Sequence, residues 1–189
     1  MLLLNNRQVI GILSATLSHV DPRLIDHGKH VSYLVYKILK PLGRFDDKEL
    51  RDICIAALLH DVGAYKTEEI DRLVVFESVD IWEHSIYGYL FFKYLSPLKD
   101  LAPVILFHHA NFRDMTNLSP AHALLAELIS LVDRAAIHIN FAKSSVSFYE
   151  RLEKFRGTSY TSEVIDMFLK SDLDLDKISD DLHQNQHHG

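Results

Sequence analysis

A His-Asp pair at the end of an apolar run is the first feature of this sequence that could do chemistry. Residues 53–59 are mostly apolar, His60 and Asp61 follow them, and Gly63 comes shortly after. The apolar run predicts the buried face of a helix, and Gly63 predicts its end, because glycine accepts the left-handed conformation that closes many helices. A buried imidazole and carboxylate need polar partners. A divalent cation is one such partner, and a pair satisfied within the protein is the alternative.

Further residues of the metal-ligating types lie on other predicted helices or at their ends. Taken singly, each has a structural reading as a cap, a surface residue or an ion pair with a neighbour such as Glu83 or Arg134. Together, their nitrogen and carboxylate donors suit Fe, Mn, Zn or Ni rather than Ca or Mg. The full set is His27, His60, Asp61, His84, His108, His109 and Asp133.

Helical periodicity dominates the chain and predicts an all-α fold. The few glycines and prolines, 7 and 5, favour long helices with short connections. Asp21 and Asp46 are predicted helix caps, and Gly157 is predicted to separate two short helices near the end. We expect a helical core over residues 1–143 and C-terminal helices packed on it over 144–189. Helices are predicted near 8–18, 22–40, 68–73, 80–96, 101–108 and 120–140, with three short ones across 144–182. A further helix, capped by Asp46, is predicted to carry His60 and Asp61 on its last turn.

Composition excludes several classes of protein. The net charge of −6 over 189 residues argues against a general nucleic-acid binder, which normally has a basic face. No apolar run reaches the length needed to cross a bilayer, so we expect no membrane segment. The single cysteine, Cys54, excludes a disulfide within the chain and favours a reducing compartment, the cytoplasm.

The order of these motifs resembles the HD superfamily of metal-dependent phosphohydrolases, and most closely its HD-GYP branch. The similarity extends over about residues 23–169. It comprises a His followed four positions later by a small apolar residue, an HD pair in a leucine-rich context, a single His, a double His, an aliphatic stretch that ends in Asp, and a final Gly-aromatic-acidic segment. These correspond to His27 with Val31, Leu58 to Gly63, His84, His108 with His109, Leu128 to Asp133, and Gly157 to Ile165.

The resemblance implies a helical HD-domain bundle with a dinuclear metal site that hydrolyses a phosphoester. Asp61 would bridge two divalent transition-metal ions, Fe or Mn first and Zn or Ni next. The ligands of one ion would be His27, His60 and Asp133, and those of the other His84, His108 and His109. A water activated by both ions would attack phosphorus in line. Lys66 is a candidate catalytic and phosphate-binding residue, and Asn111 and Arg113 are further candidates for phosphate contacts.

Departures from the family pattern leave the substrate open. Ala64 follows Gly63 where the family usually has lysine, so Lys66 is only a stand-in. Residues 110–115 contain neither glycine nor the Tyr-Pro of the GYP signature, and Arg23 replaces the glutamate that accompanies a third ion in some members. The expected substrate is a cyclic dinucleotide or another small nucleotide or phosphate. The alternative is a degenerate signalling module that binds a nucleotide or a partner protein. A homodimer and fusion to sensory domains are both compatible with the family.

Overall fold

The computed structural model describes Gly11 and residues 22–64, 81–141, 146–175 and 177–178. Helices joined by turns make up the secondary structure of this part of the chain, and it contains no β-strand. The predicted all-α class is therefore confirmed. The helices are α1 (Pro22–Leu39), α2 (Asp47–Leu58), α3 (Ile81–Leu95), α4 (Ala102–Phe107), α5 (Pro120–Phe141), α6 (Val146–Phe155) and α7 (Ser162–Lys170).

Helix α2 begins with a complete capping box. The Asp46 side chain accepts hydrogen bonds from the backbone N–H groups of Lys48 and Glu49, and the Glu49 side chain accepts one from the N–H of Asp46. These bonds satisfy donors that a helix start otherwise leaves open, so the predicted cap at Asp46 is confirmed. The predicted cap at Asp21 and the predicted helices near 8–18 and 68–73 lie outside the described residues.

The main core forms where α1, α2 and α5 pack together. Leu34, Leu128 and Leu131 are completely buried there, and each contributes about 1.5–3 kcal/mol through removal of its side chain from water. The apolar residues of α6 and α7 join the same core, with Leu152 and Phe168 also fully buried. The C-terminal helices thus share one continuous interior with α1 and α5, which carry His27 and Asp133.

A second, smaller core lies between the end of α2, α3 and α4. It contains Leu59, Phe92 and Ile105. Only one strip of α3 faces this core. The opposite side leaves Trp82 and Ile86 about half exposed, at 50% and 46%. Among the described helices, none has the length and hydropathy that a membrane-spanning helix needs.

Candidate metal centre

The His60–Asp61 pair lies in a turn directly after α2. The helix ends at Leu58, and residues 59–63 continue as turns. His60 is completely buried and Asp61 is 5% exposed. The predicted burial of the pair is therefore confirmed, whereas the prediction that the pair lies within the last helical turn is wrong.

Gly63 has a different role from the predicted one. Among the described glycines, positive φ occurs at Gly43 and Gly157, so Gly63 does not end the helix through a left-handed conformation. A Cβ atom at Gly63 would lie only 2.0 Å from the carbonyl oxygen of His84 and 2.6 Å from the amide nitrogen of Gly88. The missing side chain lets the turn pack directly on the backbone of α3. This contact brings the HD pair next to His84.

A second close contact joins α1 to the end of α2. A Cβ atom at Gly28 would lie 2.2 Å from the carbonyl oxygen of Leu58. Because no side chain stands there, the two helices approach closely beside His27. The ring centroids of His27 and His60 are consequently 5.4 Å apart.

The first group of potential ligands consists of His27, His60 and Asp133, and we call it the first cluster. His27 Nε2 lies 2.8 Å from Asp133 Oδ1, and His60 Nε2 lies 3.8 Å from the same oxygen. Their potential ligand atoms lie within 4.8 Å of one another. Helix α1, the turn after α2, and α5 each contribute one member, so three separate elements converge here.

The second cluster consists of Asp61, His84, His108 and His109, again within 4.8 Å. Asp61 Oδ1 lies 3.4 Å from His84 Nε2 and 3.5 Å from His108 Nε2. His84 lies on α3, and the double His follows the end of α4. The structure thus brings together the seven residues that the sequence singled out, in the predicted grouping.

Asp61 connects the two clusters. Its Oδ2 atom lies 3.2 Å from Nε2 of His60 in the first cluster, while its Oδ1 atom faces His84 and His108 in the second. A carboxylate with one oxygen toward each cluster has the geometry of a bridging ligand. Its ligation of ions stays a prediction.

Backbone carbonyls set the orientation of two of the imidazoles. His60 Nδ1 lies 2.8 Å from the carbonyl oxygen of Ala57, and His108 Nδ1 lies 2.6 Å from that of Ile105. A carbonyl only accepts, so each Nδ1 carries the proton and donates it. With Nδ1 occupied in this way, Nε2 is the atom that each ring turns toward the centre, which is the arrangement typical of metal-ligating histidine.

The electrostatics of the site favour ionised Asp61 and Asp133 beside a neutral His84. Burial opposes the charge of Asp61, but the surrounding imidazoles outweigh it and hold its pKa well below the usual value. Burial also opposes the charge of Asp133, but the imidazoles of His27 and His60 outweigh it and lower the pKa of this carboxylate. Burial lowers the pKa of His84 to about 4, so this ring is neutral at pH 7.

The pKa of His60 moves the opposite way. Burial works against its protonation, but the carboxylates of Asp61 and Asp133 prevail and hold its pKa well above the usual value. A cation entering the centre would take over the charge compensation that the proton on His60 otherwise supplies.

The donor set fits divalent transition metals. Nε2 of His60, His84 and His108 and Oδ1 of Asp61 are buried and make no hydrogen bond with the described part of the chain. Burying such atoms without a partner is costly, and an ion would satisfy them together. Imidazole with carboxylate suits Fe, Mn, Zn or Ni.

Comparison with known proteins agrees with this geometry. The model of the HD domain family matches residues 24–137, which is more than half of the chain. The chain belongs to the HD domain family. Its membership confirms the resemblance to the HD superfamily, while the HD-GYP branch stays a prediction. The match includes every residue of both clusters.

One relative of this HD domain is a named phosphodiesterase. It is the 3'3'-cGAMP-specific phosphodiesterase 1 of Vibrio cholerae serotype O1 (strain ATCC 39315 / El Tor Inaba N16961), and it is 27% identical over 133 residues. The aligned part covers 69% of this chain and 31% of the relative. The chain therefore spans about a third of the length of that protein. No solved structure matches the chain.

The predicted substrate-binding residues of this HD domain have other contacts. Asn111 Nδ2 donates to the carbonyl oxygen of Thr158 at 3.0 Å, and Arg113 Nη2 donates to that of Gly157 at 2.9 Å. Their roles toward phosphate stay predictions. Lys66 lies outside the described residues.

Some residues that shape the HD-domain site were missed at the level of the sequence. Gly28 gave no signal because a glycine inside a helix looks only like a weak helix former. Ala57 and Ile105 act through their carbonyl oxygens. They precede His60 and His108 by three positions, and this shared spacing was the one available signal.

Proposed function

We propose that this HD domain is a phosphodiesterase that uses two metal ions to hydrolyse a nucleotide phosphodiester. The observation that carries the proposal is the position of Asp61, with one oxygen toward each of two buried ligand clusters. When bound, two divalent ions would supply positive charge that activates a water and neutralises phosphate oxygens. Fe or Mn is our first choice, and Zn or Ni comes next.

The residues of the chain have distinct tasks in this proposal. His27, His60 and Asp133 hold one ion, and His84, His108 and His109 hold the other. Asp61 is shared. The neutral state of His84 supports this assignment, since its pKa of about 4 leaves a lone pair available at pH 7. The pKa of the His109 imidazole is also lowered well below the usual value, chiefly because the ring is buried.

The bonds from backbone carbonyls prepare the centre before any ion enters. Rings whose Nδ1 atoms are already fixed need little reorganisation when a cation arrives, so less conformational entropy is lost on binding. The buried carboxylates also exclude a second anion from the interior until cations have neutralised them. We therefore expect substrate to bind only to the metal-loaded protein.

The substrate we propose is a cyclic dinucleotide. The name of the Vibrio relative supports it, since that protein is a 3'3'-cGAMP-specific phosphodiesterase.

The location we propose is the cytoplasm. The single cysteine supports it, because disulfides rarely persist there.

The decisive experiment combines metal analysis with turnover. The chain is purified without chelators, its metal content is measured by elemental analysis, and turnover is assayed with 3'3'-cGAMP, cyclic di-GMP, bis(p-nitrophenyl) phosphate, dNMPs and dNTPs. We expect two ions per chain and turnover of a cyclic dinucleotide, both lost in Asp61→Ala. Turnover of mononucleotides alone would show that the substrate is a mononucleotide and not a cyclic dinucleotide.

One result would contradict the proposed activity. A protein that binds two ions but hydrolyses none of these compounds is a binding module, and the proposed activity is then wrong. Ala64, buried at 1% exposure where the HD-GYP pattern has lysine, is the observation that favours this second candidate.

A further inference from the structure

The turn between α6 and α7 holds the loop that follows the double His. Asn111 and Arg113 each send a side-chain donor to this turn, to the carbonyl oxygens of Thr158 and Gly157 at 3.0 and 2.9 Å. Asn111 is only two residues beyond His109. The path of the chain leaving the second cluster is therefore tied to two successive carbonyls of the C-terminal segment.

The same turn holds α5 beside Asp133. The hydroxyl of Tyr160 lies 3.3 Å from Oγ of Ser130, and the guanidinium carbon of Arg134 lies 5.9 Å from the centre of the Tyr160 ring. Ser130 is nearly one helical turn before Asp133, and Arg134 is next to it. Tyr160 is 3% exposed, so these contacts are buried at the tyrosine.

The turn itself has a fixed shape. Gly157 has a φ of +68°, a conformation that few other residues accept without strain. The N–H of Gly157 donates to the carbonyl oxygen of Tyr160 at 2.8 Å, and the hydroxyl of Thr158 donates to that of Lys154 at 3.0 Å. The N–H of Thr161 is bound by Glu127 of α5 at 2.7 Å. An internally bonded turn of this kind can transmit position from one neighbour to another.

We infer that residues 156–161, which we call the brace, are a positioning element of the metal centre. The brace fixes the double His of the second cluster relative to Asp133 of the first, and so sets how the two ligand clusters lie relative to each other. Asn111, Arg113 and Tyr160 are its positioning residues. The inference rests on the proposed function in that both require the clusters to bind ions.

Charge provides a sharp test of the brace. Asn111→Asp adds a negative charge and puts an acceptor opposite the Thr158 carbonyl, while it keeps the oxygen that accepts from the N–H of Arg113. Arg113→Ala removes a positive charge. Both changes make the surroundings more attractive to cations. A weaker hold on metal in both variants can therefore come only from lost positioning.

Asn117→Asp is the matched control. It makes the same change of charge in the same loop, and Asn117 is exposed. Each variant is first checked by circular dichroism and thermal unfolding. Arg113 is exposed and its change removes no buried contact, so Arg113→Ala keeps the test available if Asn111→Asp does not fold.

Two measurements decide the inference. The affinity for Mn²⁺ is measured by competition with a chelator, and amide hydrogen exchange is followed over residues 107–115 of the metal-free protein. We expect about tenfold weaker binding of one ion in Asn111→Asp and in Arg113→Ala, the lower end for loss of supporting contacts around ligands. We expect about fivefold faster exchange, the worth of one ordinary hydrogen bond. Asn117→Asp should match the wild type in both.

Affinity for Mn²⁺ equal to or tighter than that of the wild type in both variants would overturn the brace. The result can be separated from failure of the proposed function. Ions bound without any turnover would remove the phosphodiesterase and leave the brace standing, provided the variants bind Mn²⁺ more weakly. Full turnover in the wild type with unchanged affinity in the variants would remove the brace alone.

Discussion

His27 Nε2 lies 2.8 Å from Oδ1 of Asp133, although 106 positions of sequence separate the two residues. Both side chains are nearly inaccessible, at 12% and 4% exposure. The pair joins α1 to α5 at the first cluster. The charge of the Asp133 carboxylate can be tested by itself, because Asn has the same size as Asp and lacks the charge.

Asp133→Asn should lose the ion of the first cluster and keep the other. The reason is that the neutral amide is a poor ligand, while the second cluster does not include Asp133. The metal content measured by elemental analysis should fall from two ions to one per chain. Turnover should fall by at least about 100-fold. Asp52→Asn is the control, since Asp52 is also buried but pairs with Lys48 outside both clusters. Loss of both ions together would contradict two separate ligand sets.

His84→Ala should give the reciprocal result. It removes a ligand of the second cluster only, so the ion of the first cluster should remain. A spectrum of the Co²⁺-substituted protein can show which coordination environment survives. His122→Ala controls for removal of a histidine, because His122 lies near the start of α5 and belongs to neither cluster. Indistinguishable spectra for Asp133→Asn and His84→Ala would show that the clusters do not act as separate sites.

Gly63→Ala should destabilise the fold. Its methyl group would meet backbone atoms of α3, the nearest at 2.0 Å, and backbone cannot move aside cheaply. The expected loss is about 1–3 kcal/mol or more in the free energy of unfolding, measured by urea denaturation. Gly88→Ala is the comparison, since its Cβ would meet the Cγ2 methyl group of Ile105 at 2.9 Å, a side-chain atom rather than backbone. Equal losses in the two variants would argue against a backbone contact at Gly63.

Glu127 predicts a pH dependence of stability that a single substitution isolates. Burial raises its pKa, although the bond from the Thr161 N–H opposes this shift. A raised pKa means that the folded state holds the proton more tightly than the unfolded state. The stability this gives is complete below the unfolded pKa and is lost as pH rises through the folded pKa.

The free energy of unfolding of Glu127→Gln should therefore rise relative to that of the wild type as pH increases from about 4 to 7. The amide oxygen of Gln still accepts from Thr161 but has no charge to bury. Urea denaturation of both proteins at pH 4 and at pH 7, in the same metal state, gives the two differences in unfolding free energy. A difference that stays constant, or that favours the wild type at pH 7, would refute the buried-carboxylate explanation.

Much of the site could be predicted from the sequence because each ligand combines two conflicting signals. His60, His84 and Asp133 are polar, yet each lies among apolar neighbours whose helical spacing faces the interior. Few roles resolve that conflict, and a shared cation is one of them. The motif order then pointed to the family that the domain match confirmed.

The parts that escaped prediction depend on backbone atoms. The contact of Gly63 with α3, and that of Gly28 with Leu58, arise from the absence of a side chain. The brace is held through the carbonyls of Gly157 and Thr158, which every residue possesses. Periodicity reports side chains, so it cannot indicate which carbonyls meet which donors.

Self-association and fusion to sensory domains stay predictions.

The acceptors that orient His60 and His108 are main-chain oxygens of Ala57 and Ile105. No point mutation can delete a carbonyl, so genetic drift at these two sites leaves the tautomer of each histidine intact as long as the helical path survives. The orientation of these two rings therefore cannot be lost through mutation of a hydrogen-bonding side chain. It also means that a designer who wished to retune these rings would have to rebuild the chain path.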